Sequence, residues 1–260
     1  MTQDIGLAQL KQKEFNTDAS IYVVGDEQNY HFKVLKLICQ KLQLPAADGI
    51  YHLSYGMVEL PTGKMKSREG TVVDADDLVD EMIKISKEKT EALGKVSDFT
   101  PVQLEELYNT IGLGALKFFL LRVDPKKKMI FNPEESIDFH GFTGPFIQYT
   151  HARIKSILRK TGTAVTLTSN ELLPLEKQLA IELSLFPAII NEAADNLDPS
   201  KIAIYAFNLA KLFNTFYTEH SIANADTDTK KQLRIKIGIL TAATLQKAMG
   251  CLGIAVPEQM

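Results

Sequence analysis

The chain has 260 residues, of which 45 % are hydrophobic and 23 % charged, a composition typical of a globular protein and not of a disordered or fibrous one. Its 29 Lys and Arg residues nearly balance 32 Asp and Glu residues, and the net charge of −3 excludes a surface saturated with cations for generic polyanion binding. No apolar run is long enough to span a bilayer, and the first residues lack the pattern of a secretory signal. We therefore expect a cytoplasmic protein with no membrane partner.

The first 75 residues are predicted to form part of an α/β domain. The β-branched run Ile21–Gly25 is typical of a buried parallel strand, and an amphipathic helix is expected from Tyr30 to Leu42. Residues Ile50–Leu60 alternate like a pair of strands. This order predicts a piece of a doubly wound, Rossmann-type nucleotide-binding domain, whose ligand crevice lies at the carboxyl ends of the strands.

The strand signal stops after residue 75. Residues 76–140 are predicted to form a helical connector, in which Thr100 and Pro101 are typical of a helix start. From residue 141 onward, apolar residues recur at three- and four-residue spacing, as in the run Leu175, Leu179, Leu183, Phe186 and Ile190. This spacing predicts an all-α helical bundle over residues 141–260.

The segment Gly63–Gly70 is a glycine-flanked loop that carries three cations and a hydroxyl, on Lys64, Lys66, Arg68 and Ser67. Such cations suit the charge that builds on a nucleotide's phosphates during attack at the α-phosphorus. Glycine at both ends would let the loop close and reopen. Taken alone, however, a loop rich in Lys and Arg is more often a solvated basic turn.

Polar side chains also follow the first predicted strand. Gln28 and His31 come shortly after Gly25, and amide and imidazole groups at the carboxyl end of a strand are well placed to bind a polar ligand. On their own, Gln28 would more often be a helix-start cap and His31 a surface histidine. A ligand role for these two residues therefore needs support from elsewhere in the chain.

The predicted bundle begins with a proline-started helix that carries aromatic rings and a basic face, including Tyr149 and Arg153. Aromatic rings and a thioether can serve as platforms for unstacked RNA bases. Residues 141–260 have a net charge of +2, which permits an RNA partner read through its shape and bases. The alternative is that these rings and the thioether are core packing and that the cations are a solvated face.

The loop Gly63–Gly70 resembles the KMSKS signature of class I aminoacyl-tRNA synthetases, in the degenerate form found in arginyl enzymes. Here the second lysine arrives one place early, in Lys64-Met65-Lys66-Ser67-Arg68. The resemblance implies that Lys64 and Lys66 share the role of binding the phosphates of ATP. It implies catalytic roles for Ser67 and Arg68 as well.

The same resemblance covers essentially the whole chain and implies further roles. Asp4 and Gln28 fall where arginyl enzymes contact the arginine substrate, whose planar guanidinium suits a carboxylate and an amide oxygen. His31 falls beside the ATP, as does the segment Tyr55, Gly56, Met57 and Val58. The helical half resembles the anticodon-binding domain of those enzymes, which implies anticodon contacts from Tyr149, Arg153, Phe216 and Met260.

The function implied by the resemblance is activation of L-arginine by ATP and transfer of the arginyl group to the 3′ end of tRNA(Arg). ATP would be a substrate, with Mg²⁺ accompanying it, and we expect no tightly bound cofactor, no protein-bound metal and a monomer. The sequence holds no His-x-Gly-His element, which class I synthetases need, so we expect an incomplete enzyme that is inactive alone. A non-catalytic tRNA-binding or regulatory protein derived from a synthetase is the alternative.

Overall fold

The computed structural model describes residues 1–45, 47–61, 74–92, 94, 99–166 and 171–260. These residues form two compact units. The first comprises the described residues up to 61 together with Asp124–Ile130. The second comprises the described residues between 74 and 123 together with Phe131–Met260.

The first unit is built on a parallel strand–helix–strand arrangement. Its elements in chain order are α1 (Thr2–Phe15), β1 (Ser20–Gly25), α2 (Asn29–Lys41) and β2 (Ile50–Tyr55). Strands β1 and β2 pair in parallel, with Ser20 opposite Ile50 and Gly25 opposite Tyr55. The predicted strand–helix–strand order is therefore confirmed, and both strands end at the same edge of the sheet.

One face of this strand pair packs against α2, and the other is open. Tyr22 is buried with Phe32 and Leu35 of α2, whereas Ile21 and Val23 of β1 are 46 % and 64 % exposed. The helix ends at Lys41, one residue before the predicted end, and Leu42 is exposed instead of completing the apolar stripe. The buried core of this unit consists of Tyr22, Phe32, Leu35, Cys39, Ala47 and Ile50.

Two short strands complete the first unit, β3 (Val58–Glu59) and β4 (Met129–Ile130). The prediction of a strand pair within Ile50–Leu60 is wrong, because β2 pairs with β1 and β3 pairs in parallel with β4. Gly56 separates the two strands: its amide donates to the carbonyl of Pro125 over 2.7 Å. A side chain here would collide with the backbone, since an added Cβ would lie 2.3 Å from the Lys127 carbonyl oxygen.

The second unit is helical throughout its described elements. These are α3 (Ala75–Ala92), α4 (Pro101–Leu121), α5 (Pro133–Ser136), α6 (Gly144–Thr161), α7 (Pro174–Asn196), α8 (Ser200–Glu219) and α9 (Asp228–Cys251). Threonine hydroxyls cap three of them: Thr100, Thr143 and Thr227 each accept from a backbone amide in the first turn. The predicted helical bundle and the predicted fold class are thus confirmed.

Helix α4 packs directly on α6, so the connector and the bundle share one unit. An added Cβ on Gly144 would lie 2.6 Å from the carbonyl oxygen of Gly114, which shows how closely the two backbones approach. Phe118 of α4 belongs to the same buried core as Leu209 and Phe213 of α8. The compact units therefore divide the chain differently from the predicted segments 1–75, 76–140 and 141–260.

A buried ion pair joins α7 to α9 inside the bundle. The Glu176 side chain is fully buried, and its carboxylate accepts from Arg234 Nε over 3.0 Å and from Lys230 Nζ over 2.8 Å. It also accepts from the Leu173 amide over 2.9 Å, which closes the first turn of α7. Burial opposes ionisation, but the bonds from Lys230, Leu173 and Arg234 outweigh it and hold the pKa of Glu176 below its ordinary value.

Candidate functional site

In the first unit, polar residues gather where the two parallel strands end. Gly25 and Tyr55 are opposite each other in the last register position, and an added Cβ on Gly25 would lie 3.7 Å from the Tyr55 ring. Tyr55 is 44 % exposed, so its ring forms an open surface at this edge. The chain continues from β2 through Gly56 and Met57, and the Met57 carbonyl accepts from the Met129 amide over 3.1 Å.

The structure brings together two of the residues predicted to bind substrates. His31 lies in the first turn of α2, and its Nε2 donates to the Asp4 carboxylate of α1 over 3.1 Å. The Asp4 carboxylate therefore lies beside an imidazole.

Gln28 occupies the N-cap position of α2 and is exposed. Its side chain forms no cap hydrogen bond with the first turn of that helix, which the structure describes in full. Gln28 therefore begins the helix by its position alone, and its exposed side chain is not used as a cap. The predicted loop residues Lys64, Lys66, Ser67 and Arg68 lie outside the described residues.

In the second unit, a groove of about 640 Å³ lies along α6. It is lined by three of the four predicted anticodon-binding residues, Tyr149, Arg153 and Met260. Arg159 and Lys160 of α6 add two cations, and none of the described lining residues carries an acidic side chain. The lining thus combines exposed aromatic surface with positive charge, which are the features that single-stranded RNA binding needs.

Arg153, which lines this groove, is held by its neighbours. Its guanidinium donates to Asn214 Oδ1 over 2.7 Å and lies over the Tyr149 and Tyr217 rings, 4.8 Å and 5.8 Å from their centroids. Asn214 is itself oriented, because its amide donates to Thr150 Oγ1 over 2.8 Å. The guanidinium and the two rings form a fixed, partly aromatic surface.

The structure corrects the prediction for Phe216, whose side chain is 0 % exposed in the bundle core. The ring cannot stack on a base, since it already packs against Phe213 with centroids 5.8 Å apart. The neighbouring Tyr217 is 38 % exposed and lines the groove instead. Sequence reasoning missed Tyr217, although helical periodicity carried the signal: Ile202, Tyr205, Leu209 and Phe216 share the core stripe, and the next residue falls beside it.

The described residues contain neither a metal-binding cluster nor a membrane-spanning helix. Among those that the structure describes, no cluster of three or more His, Cys, Asp or Glu side chains could hold a metal ion. No described helix combines the length and the apolar character needed to cross a bilayer.

Two protein-family profiles match the chain. The one described as the catalytic domain of class I (R) tRNA synthetases matches residues 1–132, and the DALR anticodon binding domain matches residues 147–260. Together they cover both units.

Individual relatives agree with these profiles. The curated arginine–tRNA ligase of Flavobacterium psychrophilum is 52 % identical over 262 residues, an alignment that covers 100 % of this chain and 44 % of the relative. That of Amoebophilus asiaticus is 49 % identical and covers 100 % of this chain and 45 % of the relative. The solved arginyl-tRNA synthetase of Thermus thermophilus superposes with a TM-score of 0.84 at 28 % identity, covering 94 % of this chain and 41 % of that one. The chain spans less than half the length of these relatives.

Proposed function

Because the chain belongs to the class I arginyl-tRNA synthetase family, we propose that its two units carry parts of the machinery of an arginine–tRNA ligase. The arginine carboxylate attacks the α-phosphorus of ATP, which releases pyrophosphate and forms arginyl-adenylate. The arginyl group then passes to the 3′ end of tRNA(Arg), and AMP leaves. We propose that the protein works in the cytoplasm as a monomer.

The first unit supplies residues for the substrates. Asp4 lies 3.1 Å from His31 and offers the carboxylate that a substrate guanidinium needs. Gln28 adds an exposed amide at the same end of α2 as His31. ATP binds along the strand edge formed by Tyr55–Val58, and Mg²⁺ arrives with its phosphates. Lys64, Lys66, Ser67 and Arg68 act on the phosphate charge during transfer.

The second unit supplies the RNA surface, and the single observation that carries the proposal is the groove along α6. Its lining includes Arg153, whose guanidinium lies over two tyrosine rings, and its described lining is free of acidic side chains. Tyr149, Tyr217 and Met260 offer surfaces for splayed anticodon bases, while Arg159 and Lys160 reach the backbone phosphates. Tyr217 takes the role that sequence reasoning gave to Phe216.

Binding of RNA to the 260-residue chain tests the proposal. A tRNA(Arg) transcript and a transcript that differs from it only in the anticodon are compared by titration at two salt concentrations. We expect tighter binding of the arginine transcript and a modest salt slope, since the net charge of residues 141–260 is only +2. Equal affinities for the two transcripts would contradict an anticodon-reading role.

Catalysis is tested in a protein completed to the length of its relatives. There, Lys64→Ala and Lys66→Ala should lower kcat far more than they raise KM, by about 3 kcal/mol per lost contact. Asp4→Asn and Gln28→Ala should raise KM for arginine and leave ATP binding nearly unchanged. The 260-residue chain alone should give no ATP–pyrophosphate exchange. RNA binding without any activity in the completed protein would favour the non-catalytic alternative.

A further inference from the structure

The segment 252–260 follows α9 and runs along α6 without helical or strand structure of its own. Its first part is anchored by apolar packing, because Leu252 and Ile254 are buried in the bundle core. From Ala255 onward its residues are mostly exposed or half-buried, so apolar burial alone does not fix their course. Met260, which lines the groove, lies in this second part.

A row of side chains on α6 binds that second part. Gln148 Nε2 donates to the Ala255 carbonyl over 2.8 Å, and His151 Nδ1 donates to the Pro257 carbonyl over 2.9 Å. Further along the helix, Lys155 and Arg159 both contact Glu258, at its carboxylate over 2.8 Å and at its carbonyl over 3.0 Å. The spacing of three, four and four residues puts all four side chains on one stripe of α6.

The first two members of this row are fully enclosed. Gln148 is 0 % and His151 1 % exposed, so their bonds to the segment are shielded from water. Gln148 Nε2 also donates to the Thr110 carbonyl of α4 over 3.0 Å. Gly114 leaves room for this amide, since an added Cβ there would lie 2.4 Å from Gln148 Nε2. Loss of either side chain would remove the hydrogen bond that holds the Ala255 or the Pro257 carbonyl to α6.

A neighbouring stripe of the same helix lines the groove, with Tyr149, Arg153, Ser156 and Lys160. One stripe of α6 therefore lines the groove, and the neighbouring stripe binds the segment that carries Met260. The groove lining and the segment are linked through this one helix.

We propose that Gln148 and His151 are positioning residues of the RNA groove: by holding the carbonyls of Ala255 and Pro257, they fix Met260 at the position where it meets an RNA base. Neither side chain touches RNA itself. The link to RNA affinity rests on the proposed function, but the positioning of Met260 can be measured without RNA.

The RNA-free measurement follows the methyl group of Met260 by NMR in the 260-residue chain, labelled on its seven methionines and assigned with Met260→Ala. His151→Ala should give the Met260 methyl the narrow line of a freely moving group. His151→Asn offers an amide donor near the position of Nδ1 and should restore the broader line of the original protein. A Met260 methyl unchanged in His151→Ala would overturn the proposal, whatever the RNA results.

The RNA measurement is a double-mutant cycle on tRNA(Arg) transcript affinity with His151→Ala and Met260→Ala. Each single change should weaken binding about tenfold, the scale of one lost base contact. The double variant should bind no more weakly than Met260→Ala alone, because His151 acts through Met260. Additive losses would overturn the positioning role. If the unaltered chain does not prefer the tRNA(Arg) transcript over the one with a changed anticodon, the proposed function is contradicted. The NMR result then decides the positioning role separately.

If His151→Ala does not fold, Glu258→Ala provides a milder perturbation. Glu258 is exposed, and its carboxylate contacts Lys155 at 2.8 Å, so its loss loosens the same segment without touching the core. We expect a partial narrowing of the Met260 methyl line and a loss of transcript affinity of about twofold. An unchanged line together with unchanged affinity would contradict the proposal.

Discussion

The two units bury their apolar residues to different degrees. In the first, the strand pair packs one face on α2, while Ile21, Val23 and Tyr51 on the other face are 46 %, 64 % and 39 % exposed. In the second, the large side chains of α8, such as Phe213 and Phe216, are 0 % exposed within one continuous core. Parallel strands are usually covered on both faces, and this chain spans less than half the length of the relatives that it matches.

This difference decides how firmly each candidate site is held. In the groove along α6, the Arg153 guanidinium is held by Asn214 of the same unit. The strand edge at Gly25 and Tyr55 has defined register, but one of its two faces lacks a core. We therefore expect substitutions in the second unit to separate stability from RNA binding cleanly, and substitutions on the open strand face to have little effect.

The largest expected effect is that of Phe216→Ala. The ring is fully buried in the bundle core, so its removal should lower the free energy of unfolding by about 3–5 kcal/mol. The matched control is Tyr217→Ala on the same helix, which should leave stability nearly unchanged and weaken binding of a tRNA(Arg) transcript by about 1–3 kcal/mol. Chemical denaturation and RNA titration measure the pair. A reversed pattern would restore Phe216 as the base contact.

Glu176→Gln should have the next largest effect on stability. The change leaves Arg234, which is 4 % exposed, without a charged partner and should cost about 1.5–3 kcal/mol at neutral pH. The pKa of Glu176 is lowered in the folded protein, so its contribution is present above the unfolded pKa of about 4.3 and is lost as pH falls through the lower folded value. As pH falls into the acid range, the denaturation midpoint should decrease less steeply in the variant than in the original protein. The same decrease in both proteins would mean that this ion pair does not contribute to stability.

Arg153→Lys keeps the charge of the groove but loses its geometry. A lysine cannot lie flat over Tyr149 and Tyr217 while bonding Asn214, so transcript affinity should fall about tenfold with unfolding free energy nearly unchanged. Lys160→Arg, on the same helix and lining the same groove, is the matched control and should bind the transcript as the original does. If Arg153→Lys binds normally, the groove acts through charge alone.

The smallest expected effect is that of Val23→Thr on the open face of β1. Its side chain is 64 % exposed, so the free energy of unfolding should change by less than about 0.5 kcal/mol. Tyr22, the preceding residue on the same strand, packs in the core with Phe32. The substitution Tyr22→Ala should therefore be far more destabilising. A large loss from Val23→Thr would show that this face is covered in solution.

Much of this fold follows from residue periodicity. The parallel order of β1, α2 and β2 and the helices of the bundle were predictable because one stripe or face of each element is apolar. The pairing of β3 with β4 was not, since each strand has two residues and they are separated by more than sixty positions in the chain. Alternation within Ile50–Leu60 indicates strands but says nothing about which partner each one takes.

The candidate sites were predictable in part. Tyr149, Arg153 and Met260 were assigned through the resemblance to an anticodon-binding domain, and they meet in one groove. Phe216 and Tyr217 are adjacent residues whose side chains leave α8 about 100° apart. A motif match does not resolve which of the two lines the groove. The bonds from Gln148 and His151 to residues 107 and 106 positions away are invisible to local patterns and emerge only from tertiary packing.

The claim that the groove along α6 receives the anticodon is tested most directly by photo-crosslinking. A tRNA(Arg) transcript carrying a photoactivatable uridine analogue in its anticodon loop is bound to the 260-residue chain and irradiated, and the attached peptides are identified by mass spectrometry. The account predicts crosslinks to peptides containing Tyr149, Tyr217 or Met260. Crosslinks confined to surfaces away from these residues, with the arginine transcript bound as tightly as expected, would contradict it.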